Sequence, residues 1–165
     1  MRVLLCLTVL GGCTYIGVML GKVYYERVLF FRELLHVIAA MKSNLFFACT
    51  DLRRLLTEQA NANRQVAPFL RAYVLALEGD VLISPASLAG VLPRCGMREE
   101  EYTEAVKLFA ALGTSDAQGQ EELLLHYEGV FNAFYAEATE AKKKYGALYT
   151  KLGIAVGVLL LILLL

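Results

Sequence analysis

The placement of charge constrains this chain more than any other feature. Nineteen residues from Val3 to Gly21 pass without a charged side chain, and the run from Leu152 to Leu165, LGIAVGVLLLILLL, carries none either. Every acidic residue, and every basic one except Arg2, lies between these runs. The first run is long enough for a transmembrane helix of about 20 residues. The second rises only about 21 Å as a helix. It matches a hydrocarbon core of about 30 Å once residues 145–151 are added and Lys151 snorkels to the interface. The pattern predicts a transmembrane helix over 1–21, a polar domain over 22–151 and a closing transmembrane helix over 152–165.

Orientation follows from the flanks. Lys22, Arg27 and Arg32 follow the first run, and Lys142, Lys143, Lys144 and Lys151 precede the end of the second. Basic residues this close to a span mark its cytoplasmic side, so the polar domain is expected in the cytoplasm of the cell. Tyr24, Tyr25, Tyr145 and Tyr149 stand where an aromatic belt would. Composition agrees once it is divided. The whole chain is 58% hydrophobic and 19% charged, but residues 22–151 alone are about 24% charged, near the ordinary globular share. Sixteen basic against sixteen acidic residues leave no basic face for nucleic acid. A competing reading makes Leu10-Gly11-Gly12-Cys13 a lipoprotein signal with Cys13 acylated. The apolar run continuing through Leu20 argues against cleavage there.

Both runs carry small-xxx-small spacing, Gly17-x-x-x-Gly21 and Gly153-x-x-x-Gly157, which lets helix backbones approach closely. The contact could form within one chain or between copies, so a homo-oligomer stays open. Between the runs the periodicity is helical throughout. Tyr24, Val28, Phe31, Leu35, Ile38, Met41 and Leu45 form one stripe, placing a helix out of the first run to about Ala48. Thr50 or Asp51 caps a short helix with Leu52, Leu55 and Leu56. A third carries Phe69, Leu70, Tyr73, Val74 and Leu77 and stops at Gly79. Ser84-Pro85 starts a fourth, ended by Pro93 and Gly96. Glu99–Glu101 favour the start of a fifth with Tyr102, Val106, Phe109 and Leu112, closed by Gly113. Ser115 or Asp116 opens the last. Its stripe Leu124, Tyr127, Phe131, Phe134, Ala138, Ala141, Tyr145 and Leu148 predicts an unbroken helix into the second run. The expected fold is all-α, a bundle of about six helices between two transmembrane helices.

The chain carries no Walker loop, G-x-G-x-x-G, G-x-S-x-G, H-E-x-x-H or C-x-x-C motif. Cys6 and Cys13 fall on one face of the first run, and Cys49 and Cys95 on the cytoplasmic side, where thiols stay reduced; all four read as small apolar side chains. His36 and His126 stand apart, with no carboxylate partners that would make a metal site. The acidic run Glu99-Glu100-Glu101-x-x-Glu104 suits a solvated helix start better than acid–base work. Lys142–Lys144 act as a topology determinant, with anionic lipid as the sharper alternative. Asp116 and Gln120, four apart after a glycine-ended turn, read as a cap and its hydrogen-bonding neighbour, with a partner contact as the alternative. No cofactor and no catalysis are expected.

The segment Lys107 to Gln120, KLFAALGTSDAQGQ, with the long helix ending Tyr145-x-x-Leu148-x-x-x-Leu152-Gly153, resembles the stage III sporulation protein AB family. Leu112, Gly113, Asp116 and Gln120 fit the family's Leu-Gly, its Asp three residues on and its Gln four further. Glu26-Arg27, Arg32-Glu33-Leu34 and Thr50-Asp51-Leu52 are also similar. Residues 59–98 match loosely. Lys42 and Asn44 stand where the family tends to carry glutamates, and Asp51 where it has proline. The resemblance implies a membrane component of the sporulation channel complex between mother cell and forespore, in the outer forespore membrane. It implies a cytoplasmic domain like that of the type II secretion F-protein, with a cytosolic secretion-type ATPase and other channel proteins as partners. A holin-like self-associating hairpin is the structural rival. A membrane-tethered hydrolase using Glu99–Glu104 and His126 is the enzymatic one.

Overall fold

The computed structural model describes residues 2–47, 52–79, 84–114 and 116–164. The expected caps at Thr50, Asp51 and Ser115, the side chain of Cys6, and Cys49 lie outside the described residues. Every element described is helical. These are α1 (Arg2–Phe47), α2 (Leu52–Ala62), α3 (Ala67–Glu78), α4 (Pro85–Val91), α5 (Glu99–Ala111), α6 (Ala117–Ala141), a π-helical turn (Lys142–Gly146) and α7 (Ala147–Leu164). Two compact units divide them. One comprises residues Met1–Val28 with Ala136–Leu165, the other Leu29–Tyr135; α1 and α6 contribute to both.

Two expectations need correction. Among the described residues no helix is long and apolar enough to cross a membrane, so the flanking transmembrane helices over 1–21 and 152–165 are not part of the observed architecture. The side chains of residues 3–10, half of the first apolar run, are outside the described set. The last helix is also not uniformly α-helical: five residues adopt π geometry between α6 and α7, where a single widened turn re-aims the side chains that follow.

The larger unit is built by its turns. Asn63 ends α2 by donating from its side chain (2.8 Å) and its backbone N–H (3.0 Å) to the Gln59 carbonyl. The next three residues lead into α3, whose first turn holds Pro68, a residue that needs no hydrogen-bond acceptor there. Their N–H groups, from Arg64, Gln65 and Val66, all donate to one carboxylate oxygen of Glu33 at 3.1, 2.7 and 2.9 Å. Glu33 is a residue of α1 and is only 9% exposed. A carboxylate at that position meets both the orphan donors and the positive end of α3. Ser84 caps α4, its Oγ accepting the Ser87 N–H. Cys95 and Gly96 then take left-handed φ angles of 47° and 77°, reversing the chain before α5. There Glu101 folds back to accept the Arg98 N–H at 2.8 Å, half of a capping box.

The core of this unit is aromatic and continuous. Phe30 packs edge-on against both Phe31 and Phe69, Phe69 against Phe109, and Phe109 against Tyr73, with centroids 4.9–6.1 Å apart. On the other side Phe31 stacks on Phe131, which meets Tyr127 and Phe134. Leu34, Ile38, Leu56, Leu70, Leu88 and Leu108 fill the remaining space and are fully buried. The α1 stripe is wider than the sequence spacing gave. Phe30, Leu34 and Val37 are buried beside Phe31 and Ile38, while Leu35 is only half-buried, because α1 is covered over an arc and not along one line.

Two buried tyrosines tie the helix ends to this core. The Tyr73 hydroxyl donates to the Phe109 carbonyl at 2.9 Å, near the end of α5. The Tyr102 hydroxyl faces the Ala89 and Leu92 carbonyls, each at 2.8 Å, at the end of α4. Burial pushes the Tyr73 phenol up to about 12, and it raises Tyr102 and Tyr127 in the same direction.

Two measurements check this account. Glu33→Ala leaves three N–H groups at the start of α3 unpaired and is expected to destabilise the fold by about 2 kcal/mol. Glu33→Gln keeps an acceptor oxygen and should lose less; thermal unfolding followed by helix circular dichroism in mild detergent ranks the two. For Tyr73, a phenol that ionises near 10 when unfolded and near 12 when folded favours the unfolded state as pH rises through that window. Stability should therefore hold below pH 10 and fall by roughly 1.4 kcal/mol per unit up to pH 12. Tyr73→Phe should flatten that slope, with the remainder from Tyr102 and Tyr127.

Candidate functional site: a glycine crossing with an aromatic–basic collar

In the smaller unit, α1 and α7 cross at two glycines. A methyl group placed on Gly17 would lie 2.7 Å from the Tyr149 carbonyl oxygen and 3.1 Å from the Gly153 Cα. One placed on Gly153 would lie 2.8 Å from the Cys13 carbonyl oxygen and 3.0 Å from the Gly17 Cα. The 2.7 and 2.8 Å approaches to backbone oxygens are closer than real Cβ atoms come, so backbone packs on backbone and glycine is required at both positions. Gly17 is buried and Gly153 half-buried; Gly157 is buried and Gly21 half-buried along the same two helices. The crossing is intramolecular. Cys13, Ile16, Leu20, Leu152 and Val156 line a shallow apolar groove beside it. Outside it, Tyr15, Ile16, Val18, Met19 and Leu20 on α1 and Leu152, Ile154, Val156, Val158, Leu159 and Ile162 on α7 are exposed, most of them by about half.

Next to the crossing stands a cluster of tyrosines. The Tyr24 ring lies 5.8 Å from both Tyr145 and Tyr149, stacked on the latter, and Tyr145 and Tyr149 are 6.4 Å apart. Two lysines of the π turn lie over tyrosine rings. Lys142 Nζ sits 4.4 Å above Tyr25 and Lys144 Nζ 5.2 Å from the Tyr145 centroid, within cation–π range. Buried Arg27 pairs with Glu137 at 3.8 Å, and exposed Lys22 with Glu26 at 3.4 Å.

The motif residues of the larger unit form the α5–α6 corner. Leu112 is buried, and Gly113 has a φ of 80°, a left-handed turn that favours glycine. Asp116 accepts the Gly119 N–H at 3.0 Å, capping α6. Gln120, 7% exposed, donates to the Ala111 carbonyl at 3.3 Å, closing the end of α5. Leu112, Gly113, Asp116 and Gln120 therefore come together as one turn, far in sequence from the four glycines.

Charged residues of the acidic run and of α1 have local partners. Glu99 pairs with Arg94, Glu104 with Lys107 at 2.7 Å, and Lys42 with Glu128 at 2.6 Å. Glu101 is buried by its capping role, against the expectation of a solvated run. His36 and His126 are exposed, the latter edge-on to Tyr127 at 5.2 Å. No group of three or more His, Cys, Asp or Glu side chains is placed to hold a metal among the described residues. Sequence reasoning passed over Glu33 as a site residue. Its signal was spacing: Phe30, Glu33, Leu34 and Val37 share one helical face, so the carboxylate had to point inward.

A glycine-packed helix pair and a helical bundle closed by its own buried polar groups define a small all-α protein with an unusually exposed apolar end. The family model for stage III sporulation protein AB matches residues 2–165, and the chain belongs to that family, which gives it a role in sporulation. Neither the curated proteins nor the solved structures gave a significant match.

Gly17→Ala forces the helix backbones apart and should lower the apparent melting temperature of the full chain in detergent. Gly129, on α6, has nothing within 4 Å of an added methyl group. Gly129→Ala should raise stability by about 0.5–1 kcal/mol through helix propensity alone; equal effects of the two changes would exclude the close crossing.

Proposed function

We propose that the chain is a non-enzymatic platform of a secretion-like sporulation channel. In this reading the apolar ends of α1 and α7 hold it in the outer forespore membrane and the larger unit lies in the cytoplasm. That unit engages a cytosolic secretion-type ATPase, and other channel proteins stand beside it in the membrane. The observation that carries the reading is the exposed apolar surface of the helix pair. Eleven large apolar side chains on the two helices face outward at the crossing, a grouping of the kind that marks an interaction surface and not scattered exposure. In a bilayer the same surface is matched by lipid, and helix contact then rests on close packing of the kind seen at Gly17 and Gly153.

The larger unit supports an adaptor over an enzyme. Glu33, Glu101, Tyr73, Tyr102 and Gln120, buried polar side chains of this unit, serve turns and helix ends. Such a unit is rigid, and its surface is what it offers a partner.

Two experiments test the proposal. The full chain should remain in the membrane fraction after alkaline carbonate extraction; release into the supernatant would remove the membrane anchor. Purified in mild detergent from sporulating cells, it should carry the ATPase with it. Cross-linking that yields only homo-oligomers would favour a self-associating hairpin instead.

A further inference from the structure

We infer that the collar of tyrosines and lysines around the π turn binds the phosphodiester headgroup of an anionic phospholipid. The inference rests on the membrane reading above and names the ligand of that same end of the molecule. Its basis is how the cations are held. The other described basic residues near the crossing are exposed or paired with acids: Lys22 with Glu26, and Arg27 with Glu137. Lys142, Lys143 and Lys144 pair with no carboxylate among the described residues. Two of them lie over aromatic rings instead, Lys142 over Tyr25 and Lys144 beside Tyr145.

An ammonium seated on a ring face is held in place without being neutralised. The ring takes one side of the group and leaves N–H donors for an incoming oxyanion. Three consecutive lysines on an α-helix would diverge by about 100° at each step. The π turn winds less tightly, so the three diverge less from one residue to the next. The tyrosines add a platform at the same level, the depth at which such rings sit in a bilayer. The chain is neutral overall, so this concentration of free positive charge is local. A free phosphate offers the same oxygens, but no acyl chain to lie along the exposed Leu152, Val156 and Ile16 nearby; the lipid satisfies both surfaces.

Lipid retained by the full chain, purified in mild detergent and measured by native mass spectrometry, tests this. Phosphatidylglycerol should be retained over phosphatidylcholine, with each lysine worth about fivefold at an anionic surface. The triple change Lys142→Gln, Lys143→Gln, Lys144→Gln should abolish the preference. Tyr25→Leu keeps every charge at an exposed position and should weaken it severalfold, an effect a pure topology signal would not show. Millimolar inorganic phosphate should leave the retained lipid in place. Equal retention of the two lipids, an unaltered preference in Tyr25→Leu, or displacement by phosphate would each overturn the inference. Flotation separates the two claims: full chain that floats equally with vesicles of phosphatidylcholine alone and with added phosphatidylglycerol fails only this inference. Full chain that floats with neither fails the membrane reading too.

Discussion

A single carboxylate organises the larger unit. Glu33 sits among Phe30, Phe31 and Leu34 on α1, where an ionised oxygen without partners would be costly. It is tolerated because Arg64, Gln65 and Val66 turn three consecutive N–H groups toward it, and because the positive end of α3 lies behind them. The interaction spans more than thirty residues, so it fixes where α3 begins relative to α1. Once α3 begins there, Phe69 falls against Phe30 and Phe109, and Tyr73 reaches the α5 carbonyl. The aromatic core is arranged by a hydrogen-bond geometry at its edge, which apolar burial alone would leave loosely specified.

The same device recurs at smaller scale. Glu101 returns to Arg98, Asp116 to Gly119, Gln120 to Ala111, and Tyr102 to the end of α4. Short helices such as α2 and α4 are marginal by themselves. Side chains satisfy orphan groups here, Asn63 at the end of α2, Ser84 at the start of α4 and Tyr102 at its end. Glu101, one of the acidic run that opens α5, is committed in this way to the helix start and is buried for that reason.

How legible this was depends on distance along the chain. Helix positions and their turns were readable because their signals are local: Ser84-Pro85, Gly113 followed by Asp116, and the three-and-four spacing of Leu124, Tyr127 and Phe131. The inward face of α1 was readable only in part, because Phe31 and Ile38 mark one line of an arc that also buries Phe30, Leu34 and Val37. Glu33 and Tyr73 were not readable as partners, since nothing local to either says what stands opposite. The π turn left no sequence trace either; Lys142-Lys143-Lys144-Tyr145-Gly146 continues the helical periodicity on both sides of it.

The glycine pairs show how an ambiguity of sequence is removed by geometry. Spacing alone allows Gly17-x-x-x-Gly21 to meet Gly153-x-x-x-Gly157 in the same chain or in another. At 3.0–3.1 Å from a methyl group on either glycine to the Cα of the other, each occupies the space a second copy would need. Association of copies through these two glycines would first have to open the hairpin. The crossing is therefore spent on holding the helix pair together. What the pair leaves outward is of two kinds, apolar side chains beside the crossing and unpaired lysines on tyrosine rings next to it. On the membrane reading proposed above, those two surfaces match the two layers of one leaflet, and a protein partner would have to match both at once.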